Sequence, residues 1–404
     1  MAEMRYSDFL ALLIAEEEKA STSEQWLVLL RYYDQLLQAL PDQAELYHHR
    51  SIALQNLGLY DLALWDAKQA VRLSPNFPLA WCNKALLHLT LGGNEQGWQD
   101  YEWRWKTNLP AFEPLGIDIP QWQGMGQGEP IGEGKLLIHV EQGFGDNIQF
   151  VRYAIEAKRR GLNVVVLNHT GIENLLNFNL ARYGVETVPN GSTIYGLKYH
   201  IPMMSLLLAL RLFSEIPPLA GGYLQAEPAF AEKWASLVPA SRKPKIGIVW
   251  GGSPKHKRNL SRSLDFAQLA PLFELDGEFH CLQKVLNKAD CKRSDFPKNL
   301  HLWADRLDDF SDTAGLIEQM DLVISVDTSV AHLAAAMGKP TWILLSFHPD
   351  FRWGLERTDS DWYQSVRLFR QGADLSWQPV IDQLVQSLTD WSENKSIALA
   401  GVNS

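Results

Sequence analysis

Three cysteines in 404 residues, at 82, 281 and 291, are too few and too scattered for a disulfide framework or a metal-ligand pattern. They fit a reducing compartment. Long apolar runs are missing too. The most apolar stretch, MMSLLLALRLF at 203–213, is too short to cross a bilayer and carries an arginine. The N-terminus, MAEMRYSDFLALLIAEEEKA, lacks the basic start and small-residue cleavage site of a signal peptide. These absences lead us to expect a cytoplasmic protein with no transmembrane segment. Positive charge is also in deficit: 37 Lys and Arg against 47 Asp and Glu leave a formal charge of −10. A general nucleic-acid binder, which holds phosphates with basic side chains, is thereby disfavoured. A hydrophobic share of 46% with 21% charged residues remains ordinary for globular chains.

What the chain has in excess is tryptophan, 15 in all. Aromatics of this kind serve both cores and sugar-stacking surfaces. The chain also repeats. Tyr47, Ser51, Leu57 and Gly58 recur 34 positions on as Trp81, Ala85, Leu91 and Gly92, and Pro41 recurs as Pro75. Thirty-four residues is the tetratricopeptide period. Small residues such as Ser51, Ala63 and Ala85 would let paired helices approach, with Tyr47 and Trp81 filling the gap between neighbours. One unit spans about 42–75, another starts near 76, and a degenerate one falls at 8–41. The aromatic run GWQDYEWRWKTNLP at 97–110 breaks the pattern. Because so few repeats cannot bury their faces alone, we expect this run to dock them on the following domain. An all-α repeat domain over 1–108 and a Gly/Pro-rich connector over 109–130 follow from this reading.

From 135 strands and helices alternate, which implies parallel sheets. Strands read at 135–140, 163–167 and 198–202, with helices at 147–160 and 170–178. After the joint SRKPK come strands at 246–250, 279–283, 321–326 and 340–345. Helices fall near 266–274, 311–319, 329–337 and 378–392. The expected fold is α/β: Rossmann-like halves over 131–240 and 241–395 facing a cleft, with a tail at 396–404. Ligands of such sheets lie at the carboxyl ends of the strands.

Three loops carry candidate chemistry. In LVISVDTSVAHLAAAMGKPTWIL a strand ends at Val326, and Asp327, Thr328 and Ser329 turn into a helix. Thr328 or Ser329 suits an N-cap. The same helix terminus could hold a diphosphate on backbone N–H groups and two hydroxyls. Asp327 would then accept sugar or ribose hydroxyls, and His332 is either a donor-site residue or a packed core histidine. In VWGGSPKHKRNLSRSL, Gly251 and Gly252 allow close approach, Ser253 could donate to phosphate, and Lys255, Lys257, Arg258 and Arg262 gather positive charge. Gln283 stands at a strand end, within reach of a base or ribose. In KLLIHVEQGFGDNIQFVRY the third glycine of a dinucleotide fingerprint is missing, and no Walker lysine follows. Asp146 and Gln149 fit a capping box, with Asp146 as N-cap. Exposed at a cleft, Asp146 could equally serve as a general base, or do both. Asp359-Ser360-Asp361 spells D-x-D but sits in a polar turn, so we expect no metal there. Arg352 and Trp353, after the last core strand, are further cleft candidates.

The segments EQGFGDNIQFVRY, WGGSPKHKR with RSL, and DLVISVDTSVAHLAAAMGKPTWILL followed by HPDFRWGLERTDSDWY resemble bacterial tetratricopeptide proteins with a heptosyltransferase-like glycosyltransferase domain. The likeness covers essentially the whole chain. The chain is more distantly similar to O-GlcNAc transferases of proteins, with far fewer repeats. The resemblance implies the GT-B fold and a metal-independent, inverting glycosyltransferase. Its co-substrate would be a nucleotide-sugar donor, its acceptor a glycan or protein, and it would need no cofactor. It assigns the catalytic base to Asp146, with Gln142, Gly143, Gly145 and Gln149 on the acceptor-side loop. It assigns donor binding to Asp327, Thr328 and Ser329, with Arg262 as the phosphate-balancing cation. The family's ribose-binding glutamate has no counterpart, since HCLQK offers only Gln283 and Lys284. A protein partner on the repeats is a further expectation. The rival readings are a repeat scaffold that has lost turnover and a nucleotide-sugar epimerase on the same fold.

Overall fold

The computed structural model describes residues 5–125, 131–213, 217–253 and 259–401. It divides into two compact units. One comprises Met1–Pro114 and His348–Glu356, the other Leu115–Phe347 and Arg357–Ser404.

The first unit is helical: α1 (Tyr6–Glu17), α2 (Ser23–Ala39), α3 (Ala44–Asn56), α4 (Tyr60–Leu73), α5 (Pro78–Thr90) and α6 (Asn94–Tyr101). The pair α3–α4 begins at 44 and 60 and the pair α5–α6 at 78 and 94, the 34-residue step read in the sequence. Small residues set the packing, with Ala63, Ala67 and Ala70 of α4 fully buried. Arg50 of α3 binds both oxygens of the buried Asp66 at 2.7 Å and reaches Asp34 at 2.8 Å, linking three helices. Within this unit the aromatic run packs on α5 and on the 348–356 segment. Trp98 meets Phe351 edge-on at 5.7 Å, and Trp103 stacks on Trp81 at 5.1 Å. Arg352 and Trp353 are buried on the 3-10 turn Phe351–Trp353 of this helical unit.

The second unit carries two parallel sheets. In the first, β1 (Lys135–His139), α7 (Phe144–Arg159), β2 (Val164–Leu167), α8 (Glu173–Ala181), β3 (Glu186–Val188), β4 (Leu197–Pro202) and α9 (Ser205–Ala209) follow in order. The spatial order is β3-β2-β1-β4. After α10 (Pro228–Leu237) come β5 (Lys245–Val249), α11 (Asn259–Arg262), β6 (Glu278–Cys281), β7 (Leu300–Leu302), α12 (Phe310–Glu318), β8 (Leu322–Val326), α13 (Ser329–Ala336), β9 (Thr341–Leu345), β10 (Val366–Arg370) and α14 (Gln378–Gly401). They build the sheet β10-β9-β8-β5-β6-β7. Uniformly apolar runs such as LVISV are covered on both faces, as parallel strands must be. Strand order reverses at β1/β4 and at β5/β8, so the loops after β1, β5 and β8 open at switch points.

Some boundaries differ from expectation. Residues 266–274 form 3-10 turns rather than an α-helix, with Pro271 inside and unable to donate to the ladder. α14 continues to Gly401, into residues read as a tail. The edge strands β3 and β7 have three residues each, too short to show an alternating pattern. β10 reads VRLFR, its charges masking the strand. Among the described residues no helix is long and apolar enough to cross a membrane.

Candidate active site

The loop after β5 is held by side chains from its neighbours. Gln283 Oε1 accepts the backbone N–H of Trp250 at 2.7 Å and of Gly251 at 3.1 Å. Ser263 Oγ accepts Gly252 N–H at 3.3 Å. Arg262 lies across the loop and donates through Nη1 to the Asp327 carbonyl at 2.8 Å, tying the β5 loop to the β8 turn. Gly252 makes room for it: a Cβ there would stand 2.6 Å from Arg262 Nη2. Arg262 ends the short α11 instead of opening a helix. Lys255 and Lys257 lie outside the described residues.

At the β8 turn Thr328 holds the N-cap position of α13 in extended backbone. Its hydroxyl bonds Ser325 Oγ at 3.1 Å rather than capping the helix. The first N–H groups of α13 thus lie at a strand's carboxyl end, where a helix terminus favours an anion. His332, one turn on, is only 6% exposed. Its Nδ1 pairs with the Tyr363 hydroxyl at 2.9 Å, and its Nε2 stands 3.9 Å from Asp327 Oδ1.

The loop after β1 is also fixed from within. Asn147 Oδ1 accepts Glu141 N–H at 3.2 Å, and Asn147 Nδ2 donates to the Gly143 carbonyl at 2.8 Å. Glu141 Oε1 accepts Met204 N–H at 2.9 Å. Gln142 adopts φ +59°, unusual for a side-chain-bearing residue, with its amide on Met204 Sδ. α7 starts at Phe144, three residues before the expected helix, so Gly143 is its N-cap. The capping-box reading of Asp146 and Gln149 is corrected accordingly. Asp146 is the third helical residue, and its Oδ2 reaches back to Gly143 N–H at 2.9 Å. Gln149 is fully buried, so its side chain is not on an acceptor-side loop.

These loops meet at a cleft of about 520 Å³ within the second unit. Gly252, Ser253, Gln283, Thr328 and Ser329 line it, with Phe144 and Gly171 from the first half. Asp146, Asp327, Arg262 and His332 are not among the lining residues. A Cβ on Gly145 would be 3.0 Å from His332 Cδ2 and 3.6 Å from Ser329 Cα, so the Gly145–Asp146 turn abuts the donor-side turn. Gln283 is in the cleft wall, and its side-chain oxygen is taken up by the β5 loop.

Beside Lys284 the cleft is also lined by Val285, Asp308, Asp309, Phe310 and Thr313, which the sequence did not single out. Asp309 caps α12 through Ser311 N–H at 2.7 Å and takes Asn174 Nδ2 at 2.8 Å. The stretch LDDFSDT carries that N-cap signal, an aspartate just ahead of a helical pattern. Phe310 packs on Phe144 at 5.1 Å. The D-x-D carboxylates are both held by Arg357, Asp359 at 2.8 Å and Asp361 on the other guanidinium branch.

Residues 307–356, which carry α12, β8, α13 and β9, match the family model described as Glycosyltransferase family 9 (heptosyltransferase). This stretch is therefore similar to heptosyltransferase-like glycosyltransferases. Protein FlbA of Caulobacter vibrioides is 27% identical over 403 residues, covering 89% of this chain and 64% of that protein. The chain thus spans a little under two thirds of this curated relative. Among solved structures, ADP-heptose LPS heptosyltransferase II of E. coli aligns at 12% identity and TM-score 0.44, over 65% of this chain and 99% of that one. An O-GlcNAc transferase mutant of Thermobaculum terrenum aligns at 13% and TM-score 0.27, over 97% and 94%.

Proposed function

We propose that the chain is an inverting, metal-independent glycosyltransferase of GT-B type that uses a nucleotide-sugar donor and a hydroxyl acceptor on a glycan or protein. One observation carries this reading: the Gly145–Asp146 turn abuts His332 and Ser329 of the helix terminus whose Thr328 and Ser329 line the cleft. The donor diphosphate lies on the N-terminus of α13, with Ser253, the Ser329 hydroxyl and the Arg262 charge nearby. The acceptor oxygen attacks the anomeric carbon from the side of α7 as Asp146 takes its proton. The bond to the diphosphate breaks, and nucleoside diphosphate leaves with the electron pair. Charge then develops where the helix terminus and guanidinium already point, so stabilisation grows toward the transition state. Asp327 and His332 shape the sugar side of the turn. The helical unit reads as a tetratricopeptide-like platform for a protein partner, and three unpaired cysteines suit a reducing, cytoplasmic setting.

A melting series with UDP-, GDP-, ADP- and dTDP-sugars tests the proposal. A donor at a hundred times its dissociation constant adds about 2.7 kcal/mol, which is readily seen in the melting temperature. One nucleotide class should stabilise the protein and release nucleoside diphosphate once an acceptor is added. No shift with any of them would sink the donor-site reading. Product formed from the donor alone would favour an epimerase.

A further inference from the structure

Arg152 is fully buried in the middle of α7, yet among the described residues no carboxylate pairs with it. Its Nε donates to the Gln149 carbonyl at 2.9 Å, Nη1 to the Trp362 carbonyl at 2.7 Å, and Nη2 to the Tyr223 hydroxyl at 3.0 Å. The guanidinium carbon lies 4.5 and 4.7 Å from the ring centroids of Tyr223 and Tyr363. A buried charge held only by neutral groups is an expensive way to fill a core, and an apolar side chain would pack there at lower cost. What the arginine adds is direction, because its planar fork fixes several acceptors at once.

Those acceptors come from three parts of the second unit. Gln149 belongs to α7, Tyr223 to the stretch before α10, and Trp362 to the stretch before β10. Tyr223 returns a hydrogen bond to α7 through the Ile148 carbonyl at 2.7 Å. Its own N–H and that of Leu224 bond the Ala336 carbonyl at the end of α13, at 2.8 and 3.0 Å. Tyr363, the second ring against the guanidinium, pairs its hydroxyl with His332 Nδ1. The opposite edge of that imidazole carries Gly145 and faces Asp327. One unbroken chain of side chains therefore runs from the interior of α7 to the point where the two candidate turns meet.

We infer that Arg152 and Tyr363 are positioning residues: together they fix the His332 ring, and through it the spacing between the Gly145–Asp146 turn and the Asp327–Ser329 turn. The inference rests on the transferase reading for its kinetic consequence, though not for its structural one. A near-attack geometry lost by a fraction of an ångström is felt in turnover before it is felt in ground-state binding.

Selective ¹⁵N labelling of histidine rings in the full chain, with the His332 signals assigned by their loss in His332→Gln, reads the ring directly. Tyr363→Phe keeps the ring stack and removes one hydroxyl, whereas Arg152→Lys keeps the charge and removes the fork. Both should shift the His332 nitrogen signals. Once a donor is found, both should lower kcat on the order of tenfold with little change in its KM, the pattern of an interaction made in the transition state. Wild-type His332 signals in Arg152→Lys would overturn the role of Arg152, and wild-type kcat in both variants would overturn positioning altogether. Should Arg152→Lys lose its cooperative melt, Tyr223→Phe carries the same expectation and the same refutation. If no nucleotide sugar is turned over by the wild type, the transferase reading fails, while the His332 signals still decide the chain.

Discussion

Asp146 and Gly143 close the first turn of α7 on each other, the carboxylate accepting the glycine's backbone N–H at 2.9 Å. A residue that caps its own helix and faces a partner loop can be tested for each role separately. Asn keeps an acceptor for Gly143, whereas Ala keeps nothing. Asp146→Ala should therefore cost about 1 kcal/mol of stability, the usual worth of a lost N-terminal cap, and Asp146→Asn only a fraction of that. Thermal or urea unfolding of the two variants measures the difference. Equal losses would show that the bond to Gly143 does not stabilise the helix.

Gly252→Ala places a Cβ 2.6 Å from Arg262 Nη2. The far end of that side chain can move aside, so the fold should survive with a melting temperature near wild type. Its bond to the Asp327 carbonyl should not survive. We expect affinity for the stabilising nucleoside diphosphate to fall on the order of tenfold, the worth of one charge-assisted contact. Calorimetric titration checks this, and unchanged affinity would remove Arg262 from the donor site.

Gln283→Ala leaves the buried Trp250 N–H and the Gly251 N–H without their acceptor. An unsatisfied buried donor costs about 1–3 kcal/mol, so the melt should move clearly downward. Gln283→Glu keeps an oxygen in place and should recover most of the loss. If Ala and Glu melt alike, the β5 loop is not held by this side chain.

Much of this site was legible in the sequence, and its limits are physical. LVISV followed by Asp-Thr-Ser announces strand, turn and helix locally, because β-branched residues and a cap residue act within a few positions. The pairing of Arg262 with the Asp327 carbonyl depends on β5 and β8 lying side by side, which no local pattern specifies. At the β1 loop two boxes competed, Asp146 with Gln149 and Gly143 with Asp146. The second prevails because Asn147 is committed to Gly143 and Glu141, and Gln149 belongs to the interior. The wall at Asp308–Phe310 was missed because it enters the cleft at the start of α12, and only the tertiary fold brings that turn to the motif loops.

Two buried histidines make the fold acid-sensitive. Burial, with His49 beside it, lowers the His48 pKa to about 3. Burial, then His301 and Lys245, lowers that of His280 to about 3. Both are neutral when folded, whereas the unfolded chain takes up protons below its ordinary value of about 6.5. Stability is thus complete above that pH and is lost as pH falls toward 3, by up to about 1.4 kcal/mol per pH unit for each histidine. Urea unfolding at about pH 7 and about pH 5 should show the loss, and His280→Gln should lessen it. An equal loss in that variant would acquit His280.

The central claim is that Asp146 takes the acceptor's proton. With a donor identified, the direct measurement is acceptor-dependent release of nucleoside diphosphate by Asp146→Asn, beside its donor affinity. Loss of a general base predicts a fall of about 10²–10⁴-fold in turnover with donor binding intact. Turnover within a few-fold of wild type would contradict the assignment and leave Asp146 as a helix cap.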